Sequence, residues 1–194
     1  MLSWGQLVFT LSDDIKLSTA TEFDQRPAFT HLTRNYHALN CSLFAAELIS
    51  SFTDEHDPHP DLYDAFLQYL QNQQSLENPA DLLRFLILFQ IAILGQAGLS
   101  PTLDRCVNCK SNYTQNWQQV FFSSEMNGLI CRDCEHSFVD RQRLSKPVAD
   151  CLANLRLIES ASLDTLRRIE KLMIYHITEH LSKPPRLAKS IIQI

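Results

Sequence analysis

Four of the six cysteines fall in two C-x-x-C pairs, Cys106/Cys109 and Cys131/Cys134, separated by twenty-one residues. No other feature constrains this fold as much. Each C-x-x-C turn can aim two sulfurs at one point, and two such turns complete a tetrahedral thiolate site for zinc. Between the pairs, "WQQVFF" and "LI" flank "EMNG". Asn127-Gly128 is the dipeptide of a type I′ turn, so the spacing predicts a β-hairpin that folds the second pair back onto the first. Four protein sulfurs leave no position for water, so this zinc is expected to be structural. Such an ion contributes about 10–16 kcal/mol to folding. A redox dithiol and plain buried thiols are the competing readings, and two pairs at ribbon spacing argue against both. His136 is the alternative to Cys134 as fourth ligand. Cys41 and Cys151 fall on apolar helix faces and read as small buried hydrophobes.

The rest of the chain describes what such a clip would brace. At 194 residues and 45% hydrophobic it can bury a core without disulfides, and 20% charge with four glycines excludes disordered and fibrous classes. The opening "MLSWGQLVF" lacks the basic flank and apolar centre of a signal peptide. The longest apolar run, Phe85 to Gly95, is short for a bilayer and follows Arg84. A soluble cytoplasmic protein is expected, a setting in which paired cysteines bind metal more often than they form disulfides. The net charge of −5 argues against a generally basic nucleic-acid binder. It hides a gradient, however: residues 1–100 carry 4 Lys/Arg against 12 Asp/Glu, and residues 141–194 carry 10 against 5. Solvated helix faces account for much of this, and a basic C-terminal third that meets phosphates or an acidic peptide is the sharper reading.

The hydrophobic period changes along the chain. "QLVFTL", a turn at Asp13-Asp14 and "IKLSTAT" read as two strands. From Pro27 the period becomes helical: Leu32, Tyr36, Leu39, Leu43, Phe44 and Leu48 predict a helix over 29–52. Pro60 opens a second helix carrying Leu62, Tyr63, Phe66, Leu67 and Leu70. Asn78-Pro79 opens a third, about 80–95, apolar nearly all round and so expected at the centre of a bundle, with Gly98 ending it. After the cysteines, Ser145 and Pro147 start a short helix with Val148, Cys151, Leu152 and Leu155. A last helix runs from about Ser162 with Leu166, Ile169, Met173 and Ile177 on one face, and "SKPPRLAKS" ends it. The fold class is mainly α: a helical bundle with an inserted zinc ribbon and a short N-terminal β segment.

"HITEH" at 176–180 matches the H-x-x-E-H pattern of inverted zinc peptidases, with His176 and His180 on one face and Glu179 as base. The pattern is short, no third ligand is placed for it, and Met173 and Ile177 lie beside it on a packed face. No phosphate loop or nucleophile elbow exists. The chain does not read as an enzyme.

"LRFLILFQIAILGQAGLSPTLDRCVNC", followed by "VFFSSEMNGLICRDC", resembles the bacterial RecO family of recombination mediators. The likeness lies in the helix ending at Gly95 and Gly98, the Leu99-x-Pro101-x-Leu103 lead-in and the four cysteines. Upstream, "LFAAELISSFTDEHDPHPDLYDAFLQYL", with Glu47-Leu48, is similar to a family helix and the proline-marked entry to the next. "YHITEHL…RLAKS" is similar to the last helix and basic tail. The resemblance implies an N-terminal OB-fold followed by a helical domain with an inserted zinc ribbon. Here that reads as residues 1–25, a remnant of the OB-fold, and residues 26–194, the helical domain with the ribbon at 104–138. It implies cytoplasmic DNA repair and recombination without catalysis: binding single- and double-stranded DNA, annealing strands, engaging the single-strand DNA-binding protein, and working with RecR to load RecA. The family commonly has glycine at the position of Lys110; a lysine in a left-handed turn there costs about 1 kcal/mol. From charge alone, Arg141, Arg143, Lys183, Arg186 and Lys189 are the candidates to touch phosphate or the acidic tail of the single-strand DNA-binding protein. The alternative is a zinc-ribbon adaptor that contacts only proteins and has no affinity for DNA.

Overall fold

The computed structural model describes residues 2–10, 18–26, 29, 32–55, 57–73 and 75–194. Strands β1 (Trp4–Thr10) and β2 (Thr19–Arg26) pair antiparallel from Trp4↔Arg26 to Thr10↔Thr19. Leu7 and Phe23 lie opposite each other in this ladder, and with Phe9 they are roughly half exposed. A two-stranded ladder is marginal alone. This one is tied to the bundle through Leu2 and Trp4, which pack against the main core, and the Arg26 guanidinium lies 5.1 Å over the Trp4 ring. The turn expected at Asp13-Asp14 and the strand residues Ile15 to Leu17 lie outside the described residues, as do Pro27, Thr30 and His31.

The helix expected from residue 29 begins instead at Tyr36, as α1 (Tyr36–Phe52), after a single 3-10 turn over Leu32–Arg34. Asn35 is the reason. Its backbone is extended and its Oδ1 accepts from the amides of His37 (3.0 Å) and Ala38 (3.2 Å), which starts the helix there. Phe29 has a φ of 61°, which no helix continues through. Helices α2 (Pro60–Gln73) and α3 (Pro79–Gln96) begin at the prolines read from the sequence, with Asn78 Oδ1 capping the amide of Ala80. Leu99 N donates to Leu94 O and Gly98 N to Gly95 O, with Gly98 at φ 73°, so α3 ends in a Schellman motif. Packed on α1, α2 and α5, α3 buries Leu82, Leu86, Ile87, Ile93 and Leu94 completely. Among the described residues it is the one helix long and apolar enough to cross a membrane, and half of it is buried in this bundle.

Helix α4 (Lys146–Ala153) follows Ser145. Leu155, expected on it, falls in the next 3-10 turn, Leu155–Ser160, because Asn154 is extended and its side chain caps Arg156 N. Arg84 then fixes the approach to α5 (Leu163–Leu181): its Nε donates to Ile158 O (3.2 Å), its Nη2 to Ala161 O (3.1 Å), and it pairs with Asp81. Six residues further along α3, Gln90 meets Glu170, so α3 and α5 run in the same direction. The basic tail does not stay extended. Ser182 ends α5 in a left-handed conformation, and α6 (Ala188–Ile192) folds back on α1. There the Glu47 carboxylate accepts from Arg186 N (2.6 Å) and Leu187 N (3.1 Å).

On α5, Leu166, Ile169, Met173 and Ile177 are buried as the spacing predicts, as is His176 beside them, and so is Glu170, which the spacing did not single out. Gln90 Nε2 donates to Glu170 Oε1 at 2.6 Å. Burial raises the Glu170 carboxyl to about 8, with the Gln90 bond pulling in the opposite direction. The folded chain therefore holds a proton that the unfolded chain releases near pH 4.5. Stability from this group is complete below that value and is lost as pH rises towards 8. The expected result is that Glu170→Gln stabilises the protein at pH 8 by on the order of 3 kcal/mol and leaves it unchanged at pH 4. Denaturant unfolding of both chains at the two pH values checks this.

Candidate metal centre

Three short strands lie beside the cysteines: β3 (Val120–Ser123), β4 (Gly128–Cys131) and β5 (Gln142–Leu144), antiparallel in the order β4-β3-β5, with Cys131 at the end of β4. The predicted hairpin is present, but its turn is not type I′. Ser123 pairs with Gly128, so Ser124 to Asn127 form a four-residue loop, and of the Asn127-Gly128 pair only Asn127 has a positive φ, 55°. The Asp140 carboxylate fixes this loop by accepting from Ser123 Oγ (2.7 Å) and Glu125 N (3.0 Å).

Gly128 has a different use. A Cβ there would lie 2.5 Å from Thr102 O and 2.6 Å from Val107 Cγ1. The lead-in from α3 runs against the glycine: Thr102 N donates to Asn127 O, Leu129 N to Thr102 O, and Asn127 Nδ2 to Leu99 O and Ser100 O. The end of α3 is thereby sewn to the hairpin.

Strand alternation gives the sheet two faces. Val120, Phe122 and Leu129 belong to the core of the helical bundle. Phe121 and Ile130 belong to a second core with Cys106, Val107, Cys131 and Cys134, flanked by Trp117 and Phe138. In the first C-x-x-C turn Lys110 N donates to Cys106 O and Cys106 N to Ser111 O. This turn needs a left-handed residue, and Lys110 occupies it at φ 63°. The second turn leaves β4 into the 3-10 segment Arg132–Ser137. Tyr113 latches the intervening loop to α4: its hydroxyl donates to Asp150 Oδ1 (2.7 Å), and Lys146 Nζ donates to the same hydroxyl (3.0 Å).

The four sulfurs lie within 4.8 Å of one another. Four thiolates about 2.3 Å from a shared zinc would be separated by about 3.8 Å, and Cys109 Sγ and Cys131 Sγ are 3.8 Å apart. Cys131 N also donates to Cys106 Sγ at 3.5 Å. Hydrogen bonds from the Ser111 amide and hydroxyl lower the exposed Cys109 thiol to about 6, whereas burial raises Cys131 to about 12. The four cysteines can hold a metal ion, and their donor set fits zinc. His136 stands outside the cluster, its side chain 82% exposed beside Glu135.

The candidate basic residues lie on two different elements. Arg141 and Arg143 are exposed at the ribbon, Arg143 on β5 and Arg141 donating to Phe138 O. Lys183, Arg186 and Lys189 are exposed on the tail that returns to α1. His176 is fully buried, with its ring edge-on to Phe122 at 5.1 Å and to His180 at 4.5 Å. Burial, then the neighbouring His180, lowers it to about 4. A peptidase metal needs an open position facing substrate, and a histidine sealed beneath Phe122 does not offer one. The shared face of His176 and His180 was legible from their spacing, but the contact with Phe122 was not, because that strand is some fifty residues away.

Gly128→Ala is expected to destabilise the metal-loaded protein by about 1–3 kcal/mol, because backbone and not a flexible side chain blocks the new methyl. Thermal and denaturant unfolding measure it; a variant as stable as the parent would mean that the lead-in is not held against the hairpin.

Residues 33–189 match the family model described as "Recombination protein O C terminal". Relatives named DNA repair protein RecO include one from Listeria monocytogenes serotype 4b, 28% identical over 162 residues, covering 84% of this chain and 60% of the relative. Those of Alkaliphilus metalliredigens and Bacillus pumilus are 27% identical over 126 residues and 33% over 91, covering 65% and 47% of this chain. The chain spans about 60% of the length of the Listeria relative, 49% of the Alkaliphilus one and 33% of the Bacillus one. Matched along most of its length by that family model, the chain belongs to the RecO family through its C-terminal region.

Proposed function

We propose that this chain acts in DNA repair and homologous recombination as a non-catalytic mediator, binding DNA and repair partners to promote strand annealing and RecA loading. The observation that carries the reading is the family match over residues 33–189, supported by relatives named DNA repair protein RecO. Cys106, Cys109, Cys131 and Cys134 hold one structural zinc, which sets the ribbon against the bundle and takes no part in chemistry. The β1–β2 hairpin is the remnant of the family's OB-fold. RecR, the single-strand DNA-binding protein and single- and double-stranded DNA are the partners, and the site of action is the cytoplasm.

Arg141, Arg143, Lys183, Arg186 and Lys189 are the proposed contacts to phosphate or to the acidic tail of the single-strand DNA-binding protein. Lys183 and Arg186 border a groove of about 1120 Å³ that also carries Leu43, Leu181 and Leu187. Cations beside apolar side chains suit an acidic peptide as well as a DNA backbone. A second reading, an adaptor that binds only proteins, is favoured by the acidic residues 1–100.

Two measurements test these assignments. Zinc counted per chain after exhaustive dialysis is expected to be one, and to be absent from Cys131→Ser, in which the ribbon unfolds cooperatively; a zinc-free parent that folds normally would remove the ion. Fluorescence anisotropy of a labelled single strand is expected to report binding that weakens steeply with salt. Joint reversal of Lys183, Arg186 and Lys189 to Glu should weaken it and flatten the salt dependence by about one unit for each phosphate that is no longer neutralised. Unchanged affinity for both DNA and the acidic tail excludes these three residues. No binding by the parent at low salt favours the adaptor.

A further inference from the structure

The end of the bundle beneath the hairpin holds an unusual set of unsatisfied polar atoms. His176 is 0% exposed, and neither its Nδ1 nor its Nε2 has a hydrogen-bond partner among the described residues. His180 Nε2 is buried and equally unpartnered. Buried polar atoms are almost always paired, so two adjacent rings with unpartnered nitrogens call for a ligand, which can take one nitrogen from each. The rings lie one helical turn apart on α5, with centroids 4.5 Å from each other. At positions i and i+4 two imidazoles share a face, the arrangement by which a helix chelates a metal.

Phe122 of β3 touches His176, and β3 leads directly into the loop whose Ser124 Oγ and Asn127 Oδ1 are also buried without partners. Asn127 is held to Leu99 and Ser100, just past the end of α3, and α3 runs in the same direction as α5. The loop and the two histidines thus belong to one end of the molecule.

We propose that His176 and His180 form a second metal site, distinct from the cysteine centre, for a divalent ion that prefers nitrogen, such as Zn²⁺, Ni²⁺ or Cu²⁺. Two imidazoles favour this class over Ca²⁺ or Mg²⁺, which take oxygen ligands. With no carboxylate or thiolate among its donors, the site binds more weakly than the four-cysteine centre and exchanges where that centre does not. Its occupation would stiffen the contact between α5 and the hairpin, and so couple the helical bundle to the clip.

The test uses the full chain with its cysteine centre loaded with zinc and dialysed, titrated calorimetrically with Ni²⁺. One further equivalent is expected, weakened about tenfold or more in His180→Ala and unchanged in the exposed control His136→Ala. Because His176→Ala can disturb the core, the half-buried His180 is the primary variant, and equal zinc content at the cysteines verifies its fold. Histidine ring resonances of the parent should shift with the same stoichiometry. Absence of binding by the parent, or binding that His180→Ala leaves intact, overturns the proposal and assigns the buried nitrogens to water.

Discussion

Val120, Phe121 and Phe122 are consecutive residues in two different cores, and the rest of the molecule is arranged around that fact. The period of a strand turns Val120 and Phe122 into the helical bundle with Leu129, and Phe121 into the cysteine core with Ile130. Each buried phenylalanine contributes about 1.5–3 kcal/mol, so neither face can be released cheaply. A one-residue slip of β3 would turn each set towards the wrong core. The register is therefore held from two sides, and the cysteine core packs on one face of a strand whose other face is anchored to α5 through Phe122 and His176.

Around this shared strand, a few side chains join segments far apart in sequence. Arg84 reaches the carbonyls of Ile158 and Ala161, Glu47 receives the amides of Arg186 and Leu187, and Tyr113 meets Asp150 and Lys146. Individually such bonds contribute about 1 kcal/mol. Their larger effect is geometric, since they decide that α3 and α5 run the same way and that the tail returns to α1. The Schellman end of α3 and the close approach at Gly128 do the same for the lead-in, which has little freedom between helix and hairpin.

The charge gradient acquires a different meaning once the chain is folded. The tail that carries Lys183, Arg186 and Lys189 lies against α1, in the acidic part of the sequence, yet Glu47 is engaged by backbone amides and leaves those cations exposed. Glu170, counted as a negative charge in the formal total, is protonated at neutral pH because it is sealed among helices. The C-terminal third is thus more positive than its composition states.

The sequence by itself determined the two C-x-x-C turns whose cysteines can hold a metal ion, the helices opened by Pro60, Asn78-Pro79 and Ser162, the end of α3 at Gly98, and the left-handed turn at Lys110. Each depends on neighbours within a few residues, which is why local chemistry suffices to read it. It misread the start of α1, where Asn35 caps more strongly than the apolar period extends, and the hairpin turn, where Gly128 answers to Thr102 and not to a turn type. Tertiary structure alone decided that Glu170 is buried, that Phe122 covers His176, that β5 completes the sheet, and that the tail folds onto α1. Those outcomes rest on contacts between residues tens to more than a hundred positions apart, and no local pattern encodes the partner a side chain meets only after the chain has closed on itself.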